Sequence, residues 1–272
     1  MKKFRFSLLL LLIYTLILVG FFINRGEQQV VINKIIYLLG PIISLVAGGI
    51  TLHRLGWQGK RATVIKYIMM ALGLWFLGEM VTMFMILMGK EPYPSLADVF
   101  FLIGYGVFSF AVVSEAKLFE LNWNRLDRFL LIILCIVFAL IVGIVGYISV
   151  IGYKPSESLL SNLTTVSWSI GDIIMGGLGL VLLAMMWQYK NSIAKNAWVW
   201  FMAATMVNLF ADTIYNLNPE AISNGSILTI ILDSFWVGAY LLFAGYFLEI
   251  YKDIQWAQSK VSDSKELHKS ES

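Results

Sequence analysis

The chain alternates long apolar runs with short polar loops. Runs near 6–23, 34–52, 64–88, 96–114, 129–150, 168–187, 197–217 and 229–249 carry few charges. At helical rise, about 17–25 residues cross a hydrocarbon core of roughly 30 Å. A helix also satisfies its own backbone hydrogen bonds, which lipid cannot do for it. The pattern therefore predicts an all-α, polytopic membrane protein of eight transmembrane helices. Residues 1–250 form the membrane domain, and 251–272 read as a polar tail too short to be a domain. That tail can extend the last span as a helix and then fray.

Lys and Arg sort the two faces. Arg25, Lys34, Lys90 and Lys154 fall on one side, and the other 16 of the 20 basic residues fall on the opposite side. An even number of spans puts both termini on the basic side, which is the cytoplasmic one. The expectation is a multi-pass protein of the cell membrane with N- and C-termini cytoplasmic and the lipid bilayer as its first partner. Composition agrees: 14% of residues are charged, against about a quarter in soluble domains. The isoelectric point of 8.8 follows from this topological bias and implies no nucleic-acid partner. Met1 to Ile23 begins with basic residues, but its apolar run is too long for a signal peptide and no small-x-small cleavage site follows. It reads as a retained first span. Cys135, the single cysteine, lies within the fifth span, so neither a disulfide nor a thiolate metal site is expected.

Five carboxylates interrupt the apolar helices: Glu79, Asp98, Asp172, Asp212 and Asp233. Charge at membrane depth is costly, so each is a functional-site candidate. With odd spans running outward and even spans inward, all five lie within about 15 Å of the outer boundary. Residues three, four or seven positions away share a helical face with each acid. Trp75 accompanies Glu79, Tyr105 accompanies Asp98, and Trp168 accompanies Asp172. Asn208, Tyr215 and Asn216 flank Asp212, while Trp236 and Tyr240 accompany Asp233. The expected site is an aromatic-lined acidic pocket opening outward. The spans offer these acids no basic partner, so they should share protons or hold a cation. Carboxylate oxygens suit a hard cation such as Ca²⁺ or Mg²⁺; no other cofactor is implied. His53 sits near the inner end of span 2 and His268 in the tail, which argues against zinc catalysis and bis-histidine haem.

A plainer role competes for some of these acids. Ser95-x-x-Asp98 and Ser169-x-x-Asp172 fit capping boxes, with the acid near the positive end of a helix. Asp233 is also close to a helix start. Glu79 and Asp212 are interior, and for them the plain alternative is a buried hydrogen bond to a neighbouring helix. Other features read as structural. Gly176-Gly177-Leu178-Gly179 permits close helix packing. Trp187, Trp198 and Trp200 read as an inner aromatic belt. Asn162-Leu-Thr164 and Asn224-Gly-Ser226 are glycosylation sequons expected in outer loops.

The two halves of the chain echo each other. Asp98-Val99-Phe100 leads to Tyr105, and Asp233-Ser234-Phe235 leads to Tyr240, at an offset of 135. Glu79 and Asp212 are 133 apart, and Gly40-Pro41-Ile42-Ile43 aligns with Gly171-Asp172-Ile173-Ile174 at 131. This predicts tandem parallel four-helix repeats, about 1–120 and 121–250, a known way to build membrane folds.

One segment carries a family resemblance. Leu74-Trp75-Phe76-Leu77-Gly78-Glu79 is followed by Pro92-Tyr93-Pro94-Ser95-Leu96-Ala97-Asp98-Val99-Phe100-Phe101-Leu102-Ile103-Gly104-Tyr105. Together they resemble the multi-pass sensor region found ahead of GGDEF and EAL catalytic domains in bacterial diguanylate cyclases and phosphodiesterases. Trp168-Ser169-Ile170-Gly171-Asp172, Phe210-Ala211-Asp212-Thr213-Ile214-Tyr215 and Asp233-Ser234-Phe235-Trp236 look like its later elements. The resemblance runs in order over about 64–250 and implies a membrane-embedded sensory module. No GGDEF, EAL or kinase domain follows the last span here, so the expectation is a stand-alone module that binds a ligand in its acidic pocket. It would signal through span 8 and the tail to a separate cytoplasmic or membrane signalling protein. The alternative is a proton- or cation-coupled transporter or channel, although none of the five acids lies in the cytoplasmic half. An enzyme is not expected: the spans hold no Ser/His pair and no motif of an intramembrane aspartyl protease.

Overall fold

The computed structural model describes residues 5–24, 29–90, 93–192, 194–217 and 226–270. Lys2, Lys3, Arg25, Pro92 and Asn224 lie outside these residues, as do the side chains of Lys265, His268 and Lys269. Every described element is helical, in keeping with an all-α fold: α1 (Arg5–Ile23), α2 (Gln29–Tyr37), α3 (Leu39–Leu55), α4 (Lys60–Leu87), α5 (Leu96–Leu118), α6 (Arg128–Gly152), α7 (Leu159–Gln188), α8 (Lys195–Leu217) and α9 (Ile227–Ser270). A single 3₁₀ turn, Trp123–Arg125, precedes α6. Eight of these segments are long and apolar enough to cross a membrane, with α2 and α3 together making one span, Gln29–Leu55.

Local chemistry explains the breaks. Pro41 has no N–H to return to the carbonyl of Tyr37, so the helix is interrupted at Leu38. Gly56, at φ 91°, adopts a backbone closed to most side chains and ends α3. Side chains of Ser95, Asp127 and Ser158 accept backbone N–H bonds at the starts of α5, α6 and α7. The tail does not form a separate element. It continues the last span as one helix of 44 residues.

Six helices close into a ring: α3 packs on α4, α4 on α5, α5 on α7, α7 on α8, α8 on α9, and α9 back on α3. Outside it, α1 rests on α9 and α2, and α6 rests on α7 and α8. The order α3–α4–α5 is repeated by α7–α8–α9, and two seams, α9/α3 and α5/α7, join the halves. Matching positions take matching contacts. A Cβ on Gly171 would lie 3.0 Å from the Tyr105 ring, and a Cβ on Gly40 would lie 3.4 Å from Cβ of Tyr240. Each glycine thus admits the tyrosine of a neighbouring span, at corresponding places in the two halves.

The ring is filled, not hollow. Phe108 and Phe243, again 135 residues apart, meet with ring centroids 5.7 Å apart. Phe201 packs on both, at 5.3 and 5.8 Å, and Trp75 stacks on Phe108 at 5.5 Å. Outward faces are apolar as well: Leu8, Leu12 and Leu16 of α1 and Ile132, Ile136 and Leu140 of α6 are exposed. Such residues suit lipid, where packing and internal hydrogen bonds, rather than hydrophobic burial, hold helices together.

Candidate functional site

The five acids are all buried, from 1% exposure at Asp172 to 9% at Glu79. They fall into two linked groups. In one, Glu79 of α4 accepts hydrogen bonds from the Tyr37 hydroxyl at 2.9 Å and from Lys34 Nζ at 3.3 Å. Lys34 also lies 3.8 Å from Asp233 of α9 and 4.6 Å above the Tyr37 ring. An ammonium between two carboxylates and over an aromatic face is a compensated arrangement. It corrects the expectation that these acids have no basic partner. The helix begins at Gln29, earlier than hydropathy places it, so Lys34 lies inside a span and its flexible stem reaches the acids.

The second group centres on Tyr105 of α5. Its hydroxyl lies 3.0 Å from Asp212 Oδ2 on α8 and 3.4 Å from Asp172 Oδ1 on α7. A phenol has one proton, so it cannot donate to both at once. The shorter contact, to Asp212, is the better hydrogen bond, and Asp172 lies at the edge of reach of the same hydroxyl. Asp212 also accepts from Asn208 Nδ2 at 2.6 Å and Trp236 Nε1 at 2.7 Å. Asp172 accepts from Asn216 Nδ2 at 3.1 Å.

Asp98 combines two roles. Its Oδ2 accepts from the Ser95 backbone N–H at 2.7 Å in a complete capping box. Its Oδ1 accepts from Trp168 Nε1 at 3.0 Å. The Trp168 ring lies edge-on to Tyr105 at 5.8 Å, which joins Asp98 to the second group. Tyr215 packs on Trp236 at 5.8 Å, and Tyr240 meets Tyr37 edge-on at 6.2 Å, so both line the network through ring contacts.

The same-face pairings read from the sequence are largely exchanged. Trp168 serves Asp98 rather than Asp172, Trp236 serves Asp212 rather than Asp233, and Tyr105 serves Asp172 and Asp212 rather than Asp98. Trp75 donates to the Phe101 carbonyl at 3.2 Å instead of serving Glu79. Only Asn208 serves the acid of its own helix in the expected way. Helix axes pack about 8–10 Å apart, and a long aromatic side chain spans that gap more readily than it folds back along its own helix. The Asp172 capping box is also corrected. Helix α7 begins at Leu159, which leaves Asp172 mid-helix, and Ser169 donates to the Thr165 carbonyl instead.

Lys34, Tyr37, Tyr105, Trp168 and Trp236 supply the side chains that hydrogen-bond or pair with the five acids. Among the described residues, no three His, Cys, Asp or Glu side chains gather as a group that could hold a metal ion. Beyond the network, Glu157 is outside the spans. Its carboxylate accepts from the Ser161 hydroxyl at 2.5 Å, which holds its pKa below the ordinary value.

Sequence reasoning missed a further buried acid. Glu115 lies one residue past the predicted end of span 4, but α5 continues to Leu118 and Glu115 is fully buried. It pairs with Arg61 and accepts from Trp198 Nε1 at 2.7 Å. Trp198 is therefore no belt residue but a buried donor, while Trp187 remains exposed. Asn162 is likewise buried within α7, and its amide is engaged by the backbone of Lys154 rather than presented on a loop.

The fold and this network define a multi-pass α-helical membrane protein with carboxylates, one lysine and aromatic donors buried together at one end of a helix ring. Comparison with protein-family models, with curated proteins and with solved structures finds no match.

Proposed function

We propose that the chain is a membrane-embedded sensory or ligand-binding module, in which the carboxylate network sets the position of α9 and α9 carries that position into the cytoplasm. One observation carries the reading. A single uninterrupted helix, Ile227–Ser270, holds Asp233 and Trp236 within the network and continues well past the span as the tail. A stimulus that displaces Lys34 from Asp233, or breaks the Tyr105 contacts with Asp172 and Asp212, acts directly on this helix or on a neighbour it touches. The receiver is a separate cytoplasmic or membrane signalling protein docking on the tail, with both termini cytoplasmic. The aromatic core between the two ends of the ring supports sensing over conduction.

Hydrogen exchange on the full-length protein in nanodiscs tests this. Asp212→Asn keeps the side-chain shape but removes the charge that Tyr105, Asn208 and Trp236 solvate. Exchange in α9 beyond Glu249 should accelerate in this variant, while α6, which contributes no side chain to the network, stays as in the wild type. Tail exchange identical to wild type would refute the coupling.

A further inference from the structure

A second polar cluster lies at the other end of the ring, where four helices meet. Glu115 of α5 uses Oε1 for both Arg61 of α4 and the indole of Trp198 on α8. Its Oε2 has no hydrogen-bond partner, although the residue is fully buried. The hydroxyl of Tyr246, on α9 and also fully buried, has none either. Tyr246 is within electrostatic reach of both Glu115 and Arg61. Buried polar atoms in folded proteins are nearly always satisfied, by protein or by ordered water. Leaving both unsatisfied beside a charged pair would cost stability with no gain.

The chemistry of the two atoms identifies what satisfies them. Glu115 Oε2 accepts only. The Tyr246 hydroxyl both donates and accepts, and the Arg61 guanidinium has N–H groups to spare. A water molecule between them would find about three partners, the usual number for a buried water. Arg61 is 20% exposed at its side chain, which leaves a way in from the Arg61 end. Phe108, Phe201 and Phe243 stand between this cluster and the carboxylate network. We propose that Glu115 and Tyr246 form an internal water-binding site, filled from the basic end of the protein and separate from the carboxylate network. Asp253, two turns beyond Tyr246 on α9, is within electrostatic reach of Arg61. The hydrated cluster therefore sits where α9 leaves the ring and becomes the tail.

Infrared difference spectra of the full-length protein, wild type against Tyr246→Phe, test the site in ordinary and heavy-oxygen water. We expect an internal-water O–H band that shifts in heavy-oxygen water and is lost in Tyr246→Phe. The thermal midpoint of Tyr246→Phe should also fall, by about 2–4 °C, because the water loses a partner. Glu115→Gln, which retains an acceptor oxygen but places an amide N–H₂ at the site, should shift the same band without abolishing it. A midpoint that is unchanged or raised in Tyr246→Phe would mean an orphaned hydroxyl and overturn the proposal. A lowered midpoint with no heavy-oxygen-sensitive band would mean a direct Tyr246–Glu115 hydrogen bond, and would overturn it equally.

Discussion

Lys34 governs the charge balance of the carboxylate end. Its ammonium faces Glu79 and Asp233, and removing it leaves two buried acids facing each other. Breaking one side of a buried ion pair costs about 3–5 kcal/mol, because the remaining charge is stranded. Lys34→Met should therefore destabilise by about that amount in denaturant titration of the micellar protein. Glu79→Gln should also destabilise. The double variant should lose clearly less than the sum of the two, and strict additivity would show that the pair does not interact. The five acids were legible in the sequence because charge stands out in an apolar run. Lys34 and Glu115 were not, because each sits at a span boundary, where a few residues of helix decide between loop and buried interior. Hydropathy starts span 2 at 34 and ends span 4 at 114, whereas the helices run from Gln29 and to Leu118.

Between elements, close approach is set by small residues whose neighbours differ in how far they can yield. A Cβ on Gly104 would lie 2.3 Å from Trp75 Nε1. That indole is held by the Phe101 carbonyl and hemmed in by Tyr105, Phe108 and Phe243. A Cβ on Gly179 would lie 2.0 Å from Met206 Cε, the free end of a flexible chain. Gly104→Ala should therefore destabilise by about 1–3 kcal/mol or more. Gly179→Ala should be close to neutral, since the helix-propensity gain of up to ~1 kcal/mol offsets a thioether rotation. Thermal midpoints in the reverse order would contradict this account of the α4/α5 seam. Eight spans were readable from apolar length alone, but the start of α7 was not. Its first turns, Leu159 to Ser167, are rich in Ser, Thr and Asn and read as loop, yet Ser158 caps them into helix. That shift moved Asp172 from a helix end to mid-helix, and with it Asn162. The exchange of aromatic partners between helices was also illegible, since a single sequence reports which face a residue occupies but not which helix lies opposite.

On the scale of the whole molecule, the echoes at offsets 131, 133 and 135 fall on α3–α4–α5 and α7–α8–α9, with Phe108 against Phe243 where these runs of helices meet. The two runs differ in surroundings and in chemistry: α1 packs on α9, whereas α6 packs on α7 and α8. Pro41 stands where the other half has Asp172, and Glu79 takes a lysine where Asp212 takes an asparagine and an indole. Lys34 faces Glu79 and Asp233, whereas Asp172 and Asp212 meet at the Tyr105 hydroxyl. The excess of basic residues at one end implies a cytoplasmic orientation for that end, which is open to a direct test. With Cys135 replaced by alanine, Ser259→Cys in the exposed base of the tail should react with a membrane-impermeant maleimide only from the cytoplasmic face. Labelling of intact cells from outside would invert the topology and place the carboxylate network inward.

The single helix α9 also has a mechanical consequence. From Asp233 to Ser270 it extends roughly 55 Å at helical rise, as a rod with its short arm in the network. A tilt of about 5° at that end would swing the far end by about 5 Å, enough to open or close a docking contact. A rearrangement on the scale of one hydrogen bond, too small to change the outline of the bundle, would thus become a displacement of several ångströms at the end of the tail.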